Sequence, residues 1–104
     1  MTIARVREIV AEYRALLDLT DWDIRCRWSR RGELADADGQ CRWQPEYRIA
    51  DVVLRRQQPD SEIPHTVVHE LLHLRLQGHT LNEAPYDPQL ELGINRTAAA
   101  ILQR

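Results

Sequence analysis

The sequence predicts a single α+β domain over residues 1–104, in which a small three-stranded sheet is covered by a helix from the second half of the chain. Two observations support this prediction. Apolar residues recur at helical spacing near the N-terminus and in two later segments. The region between them shows the two-residue alternation of half-buried strands. The predicted order is helix, three strands, helix, helix.

The first helix is predicted to end near Leu19, because apolar residues repeat every three or four positions up to that point. Alternation then predicts a strand from Ile24 to Trp28, and a second strand runs from about Gly39 to Gln44, where Pro45 stops it. A third strand is predicted from Tyr47 to Arg55. Its inward-facing residues are Ala50, Val52 and Leu54.

Composition is ordinary for a globular protein, with 43% hydrophobic and 29% charged residues and a formal net charge of −2. No apolar run reaches the roughly 18 residues of a membrane span, and no targeting segment is visible, so we expect a cytoplasmic monomer without a membrane partner. The net charge also disfavours a nucleic-acid partner. A local basic patch could still form from Arg25, Arg27, Arg42, Arg48, Arg55 and Arg56.

Cys26 and Cys41 fall on predicted strands and could be neighbours across the sheet. In a reducing compartment two free buried thiols are expected rather than a disulfide. The second strand lies two elements before the helix that carries His69-Glu70-x-x-His73, and by that position it resembles the zincin strand whose free edge accepts an extended peptide by main-chain hydrogen bonds. An ordinary short edge strand, protected by Arg42 and Pro45, is the competing interpretation.

The chemistry of this chain is indicated by the pentapeptide His69-Glu70-Leu71-Leu72-His73. Two histidines four residues apart lie on one face of a helix and can reach a single zinc ion, while the glutamate can act on a water there. The surrounding segment is predicted to be a helix that Asp60 or Ser61 caps, with Pro64 in its first turn and Gly78 at its end.

A catalytic zinc usually has three protein ligands, and two residues compete for the third position. His79 has the spacing of the HExxHxxGxxH pattern, but Leu76 stands where that pattern has glycine. Glu91 is better placed, on a helix predicted from Asp87-Pro88 to about Leu102.

Asn95 lies one turn beyond Glu91 and is predicted to point to the same place. It could accept the ring N–H of a zinc-binding histidine and so hold that ring in one orientation. His65, one turn before His69, is expected at the edge of the site rather than as a ligand.

The HExxH helix followed by a helix carrying Glu-x-x-x-Asn resembles the gluzincin branch of the zincin metallopeptidases over residues 63–102. The chain is most similar to the minigluzincins and to short phage and bacterial HExxH proteins. The resemblance implies that His69, His73 and Glu91 bind one Zn²⁺ per chain and that Glu70 is the general base. Larger gluzincins often have aspartate at the position of Asn95.

The expected activity is zinc-dependent hydrolysis of a peptide bond in a peptide or protein substrate. Tyr86 and His79 are candidates for stabilising the oxyanion. The alternatives are a non-catalytic zinc-binding protein, a nucleic-acid-associated protease, and a regulatory protease dedicated to one partner protein. A purely structural zinc site would give no reason for Glu70, since such sites usually have four protein ligands.

Overall fold

The computed structural model describes residues 1–79 and 87–103 and has the predicted α+β architecture. Helix α1 spans Ile3–Leu16, and strands β1, β2 and β3 span Asp23–Trp28, Gly39–Gln44 and Ile49–Leu54. Helix α2 spans Ile63–Gln77 and helix α3 spans Pro88–Leu102. Within the described residues, no helix is long and apolar enough to cross a membrane.

The sheet has the order β1-β3-β2, with β3 parallel to β1 and antiparallel to β2. Cys26 of β1 and Cys41 of β2 both pair with Val52 of β3, one on each side of it. The prediction that these cysteines could be neighbours is therefore wrong, because the most buried strand lies between them. Both are buried free thiols, and burial raises the pKa of each.

Helix α2 lies at the centre of the domain and packs on two sides. Ile63, Val67 and Leu71 pack with α1 and one face of the sheet, whereas Val68 and Leu72 pack against α3. The side chains of β3 that were predicted to face inward are fully buried in the first of these clusters: Ala50, Val52 and Leu54. An apolar surface on two sides explains why the α2 sequence is so rich in Val and Leu.

Helix α2 begins later than predicted and ends where it was predicted to end. Asp60 and Ser61 belong to a 3₁₀ turn, Asp60–Glu62, and Glu62 precedes the helix without a side-chain cap. Pro64 lies in the first turn as predicted. Gly78 does end the helix, but with a φ of −64°, so space rather than a left-handed backbone requires glycine there.

Candidate metal centre

The two histidines of the HExxH segment lie side by side on α2. The ring centroids of His69 and His73 are 5.0 Å apart, and each side chain is 17% exposed. Val68 and Leu72 hold the same helix against α3, and Leu71 holds it against the sheet. The remaining face of α2, which carries the histidines, is therefore partly exposed to solvent beside α3.

Glu91 reaches both rings from the first turn of α3. Its Oε2 lies 3.1 Å from Nε2 of His69, and its Oε1 lies 2.7 Å from Nε2 of His73. Asp87 fixes the start of this helix, because its carboxylate accepts hydrogen bonds from the main-chain N–H groups of residues 89 and 90. Ile94, buried against α2, sets the rotation of α3 that aims Glu91 at the histidines.

The other ring nitrogen of each histidine is held by an amide. Nδ1 of His69 lies 2.8 Å from Oδ1 of Asn95, and Nδ1 of His73 lies 2.8 Å from Oε1 of Gln77. An amide oxygen only accepts, so each contact requires a proton on Nδ1, and Nε2 is the ring nitrogen that faces Glu91. Asn95 thus lies where the sequence placed it. Gln77 was missed, although its spacing of four from His73 on one helix was a usable signal.

These three side chains form a donor set suited to a metal ion. Among the described residues, His69, His73 and Glu91 are the group of potential ligands whose donor atoms all lie within 4.8 Å of one another. In a tetrahedral site with bonds of about 2.0–2.2 Å, donor atoms lie roughly 3.4 Å apart, close to the 3.1 and 2.7 Å between the Glu91 oxygens and the two rings. Two imidazoles and one carboxylate, each with its orientation fixed, fit a zinc ion.

Glu70 lies beside this group without belonging to it. Its Oε2 is 3.8 Å from Nε2 of His69, its side chain is buried, and the main-chain N–H of Cys41 lies near enough to favour its charged form. Burial raises the pKa of Glu70 to about 7, and the charge of Glu91 acts in the same direction, whereas His73 and the Cys41 N–H oppose it. Burial likewise lowers the pKa of His69, which favours the neutral ring that can bind a metal.

The remaining candidates lie elsewhere. His65 is near His69, with ring centroids 6.4 Å apart, but lies outside the ligand group, as expected. His79 is exposed and lines a separate cavity with Trp22 and Arg48, so the structure does not bring it to the three ligands. Tyr86 lies outside the described residues.

The six arginines of the suggested basic patch are largely paired. Arg25, Arg27, Arg42 and Arg48 lie within 3.2 Å of a carboxylate, Arg55 lies 4.0 Å from that of Asp38, and the guanidinium of Arg56 stacks over the Trp28 ring. Glu33 alone contacts two of them, Arg27 at 2.6 Å and Arg42 at 2.9 Å. Charges already compensated in this way give little support to a phosphate-binding face.

Comparison of this chain with models of protein families, with characterised proteins and with solved structures gave no match.

Proposed function

We propose that this protein is a zinc-dependent peptidase. The observation that carries the proposal is the position of the Glu91 carboxylate, which faces Nε2 of both His69 and His73 while Glu70 lies alongside. This arrangement has three protein ligands and a separate carboxylate, as catalytic zinc sites with a general base do.

The residues of the chain would divide the reaction between them. A zinc ion bound by the two histidines and Glu91 would lower the pKa of a coordinated water and polarise the scissile carbonyl. Glu70 would accept a proton from the attacking water and return it to the departing amine. Asn95 and Gln77 would keep the two histidine rings in the binding tautomer.

A role for zinc in folding alone accounts less well for Glu70. A buried carboxylate is costly unless it has partners, and this one is buried 3.8 Å from Nε2 of His69, where a general base for a zinc-bound water is needed. Among the described residues, no fourth His, Cys, Asp or Glu joins the ligand group. Three protein ligands would leave a coordination position for water or substrate, which a closed structural site does not offer.

Strand β2 supports an extended peptide as the substrate. It is an edge strand, and the main-chain bond from Arg55 N to Asp38 O continues its pairing with β3. Bonded and non-bonded pairs alternate in an antiparallel ladder, and Asp38 and Arg55 form a bonded pair. Cys41 and Val52, three pairs further along, are therefore a non-bonded pair, so Cys41 turns its N–H and C=O away from β3. The Glu70 charge contributes to the raised pKa of Cys41, and Gly39 at the start of β2 lines a cavity together with Glu70, so a peptide aligned with β2 would bind beside the site.

The test compares wild-type protein with Glu70→Gln, both loaded with zinc, on a mixed peptide pool read by mass spectrometry, with zinc content measured in each. Cleavage by the wild type, lost in a variant that still holds zinc, is the expected result. Glu12→Gln, an identical change at an exposed position of α1, should cleave like the wild type. Undiminished cleavage by Glu70→Gln would contradict the mechanism. Bound zinc without cleavage by any of the proteins would contradict a general peptidase and favour a structural zinc or a single dedicated substrate.

A further inference from the structure

A cavity of about 310 Å³ opens directly beside the candidate metal centre. It lies between the first half of α2, the start of β2 and the middle of α3, and His69 and Glu70 form part of its wall. If the carbonyl of a scissile peptide bond lay at the metal centre and water attacked it from the side of Glu70, the substrate residue next to that bond would lie at the mouth of this cavity.

The other side chains that line the cavity are mainly polar, and most of their hydrogen-bonding capacity is already used. The Thr66 hydroxyl donates to Oε1 of Gln58 at 2.7 Å, and Oδ1 of Asn95 faces His69. His65 contributes a ring at the edge. Besides Glu70, Asp38 is the residue of the described lining that carries a carboxylate.

Asp38 is held by its main chain, and its side chain stays available. Its carbonyl oxygen accepts hydrogen bonds from Arg55 N at 2.8 Å and from Nε2 of Gln58 at 3.0 Å. Its carboxylate is 59% exposed and lies 4.0 Å from Nη1 of Arg55, too far for a hydrogen bond. The other Arg55 nitrogen, Nη2, donates to the Ala35 carbonyl oxygen at 2.7 Å, which keeps that guanidinium outside the cavity.

Resting on the proposed function, we infer that this cavity receives the substrate side chain next to the scissile bond and that Asp38 makes it prefer a cationic one, lysine or arginine. Asp38 and Glu70 carry the negative charges of the lining, and no arginine among the described residues lines it. A cationic side chain would give Asp38 a charge-assisted hydrogen bond. An apolar side chain would remove water from Asp38 and offer no partner in return, which is unfavourable.

The experiment measures binding rather than turnover, using the zinc-loaded Glu70→Gln protein. Two peptides are compared as ligands: Ac-Ala-Ala-Lys-Ala-Ala-NH₂ and the same peptide with norleucine in place of lysine. Their binding is measured by calorimetry and by the shifts of the protein's amide NMR signals. The Glu70 charge is absent from this protein, so of the described lining residues only Asp38 keeps a carboxylate. The lysine peptide should bind about 5-fold more tightly or better and should shift the amide signals of Asp38 and Gly39.

Two further variants, each made in the Glu70→Gln protein, complete the test. Asp38→Asn should remove the preference for lysine, whereas Asp36→Asn, the same change at an exposed residue outside this cavity, should retain it. Equal binding of the two peptides, binding of neither, or a lysine preference that survives Asp38→Asn would overturn the inference. The wild-type cleavage of the peptide pool is read separately, so loss of the preference and loss of peptidase activity are distinguishable. Where the pool is cleaved, lysine and arginine should be enriched next to the cut bonds.

Discussion

Oδ1 of Asn95 lies 2.8 Å from Nδ1 of His69, so a residue of α3 fixes the ring orientation of a histidine on α2. Glu91, one turn earlier on α3, contacts the other nitrogen of the same ring at 3.1 Å. One helix thus supplies both a proposed zinc ligand and the group that orients another. The packing of Ile94 and Ala98 against α2 is therefore a condition for the candidate metal centre as well as for stability.

Replacing Asn95 with leucine should weaken zinc binding roughly 10- to 100-fold, because the His69 ring would lose the acceptor that keeps its proton on Nδ1. Competition with a chromogenic chelator measures this affinity. Asn95→Asp keeps an acceptor and should restore most of it. Arg96→Leu, which adds the same side chain at the next, exposed position, is the control. Wild-type affinity in Asn95→Leu would show that the contact does not orient a ligand.

Replacing Gln77 with leucine should have a similar effect through His73, roughly a 10-fold or greater loss of zinc affinity. Ring ¹⁵N shifts of the zinc-free protein report the tautomer directly. We expect Nδ1 of His73 to change from fully to partly protonated, while Nδ1 of His69 stays as it is. Gln77→Glu, which keeps an acceptor, should preserve the wild-type pattern. An unchanged His73 spectrum in Gln77→Leu would remove Gln77 from the site.

Glu91→Ala should release zinc far more readily than His79→Ala. The first removes a carboxylate that faces both histidine Nε2 atoms, and the loss should exceed about 100-fold, more than the loss of an orienting group. The second changes an exposed residue in a different cavity and should alter the affinity less than about 2-fold. Zinc content after dialysis against a chelator ranks the two variants. The opposite ranking would assign the third ligand to His79.

The sequence was sufficient for the elements and for the main site residues because both depend on local spacing. Helical and strand periodicity indicates which side of a segment is buried, and the spacing of four indicates which side chains share a helix face. The order of the strands is a different kind of property, since periodicity does not indicate which strand lies next to which. Cys26 and Cys41 illustrate this limit, because each alternates correctly and yet Val52 separates them.

The cavity beside Glu70 also lay beyond prediction from the sequence. It depends on the meeting of Asp38, which precedes β2, with His65 on α2 and Asn95 on α3, residues far apart in the chain. The start of α2 was placed too early for a related reason. Asp60 and Ser61 are good capping residues locally, but the chain forms a 3₁₀ turn there before the helix begins at Ile63.

The stability of the zinc-free protein should fall on acidification partly because of Glu33. The guanidinium of Arg27, the main-chain N–H of Arg30 and the guanidinium of Arg42 hold the pKa of this carboxyl well below its ordinary value of 4.5. A group whose pKa is lower in the folded state stabilises the fold above its unfolded pKa and loses that contribution as the pH falls towards the folded value. The loss due to Glu33 should begin below about pH 5 and continue to the lowest accessible pH.

Urea unfolding in the presence of a chelator, at several pH values between about 7 and 3, measures this contribution. Glu33→Gln should have a lower free energy of unfolding than the wild type at neutral pH, and the two curves should converge on acidification. Glu46→Gln, a change at a turn residue, should follow the wild type throughout. Parallel curves for Glu33→Gln and the wild type would mean that the arginine contacts of Glu33 do not stabilise the fold.

Two glycines of the structure predict opposite effects of the same substitution. A Cβ at Gly78 would overlap the carbonyl oxygen of Leu74 and lie 3.0 Å from the Trp22 ring, so Gly78→Ala should lower the free energy of unfolding by about 1–3 kcal/mol. At Gly93, within α3, a methyl group would meet no described atom within 4 Å outside its own helix turn, and Gly93→Ala should raise the free energy of unfolding by about 0.5–1 kcal/mol.

Urea unfolding of both variants without zinc, followed by zinc titration, separates packing from metal binding. Gly93 lies between Glu91 and Asn95 in the sequence, yet neither contact of those residues with the histidines involves it, so the zinc affinity of Gly93→Ala should match the wild type. Gly78→Ala lies one residue after Gln77, and a displaced helix end should weaken zinc binding through His73 as well as the fold. Equal stability of the two variants would contradict the close approach of α2 to Trp22, on which this last turn depends.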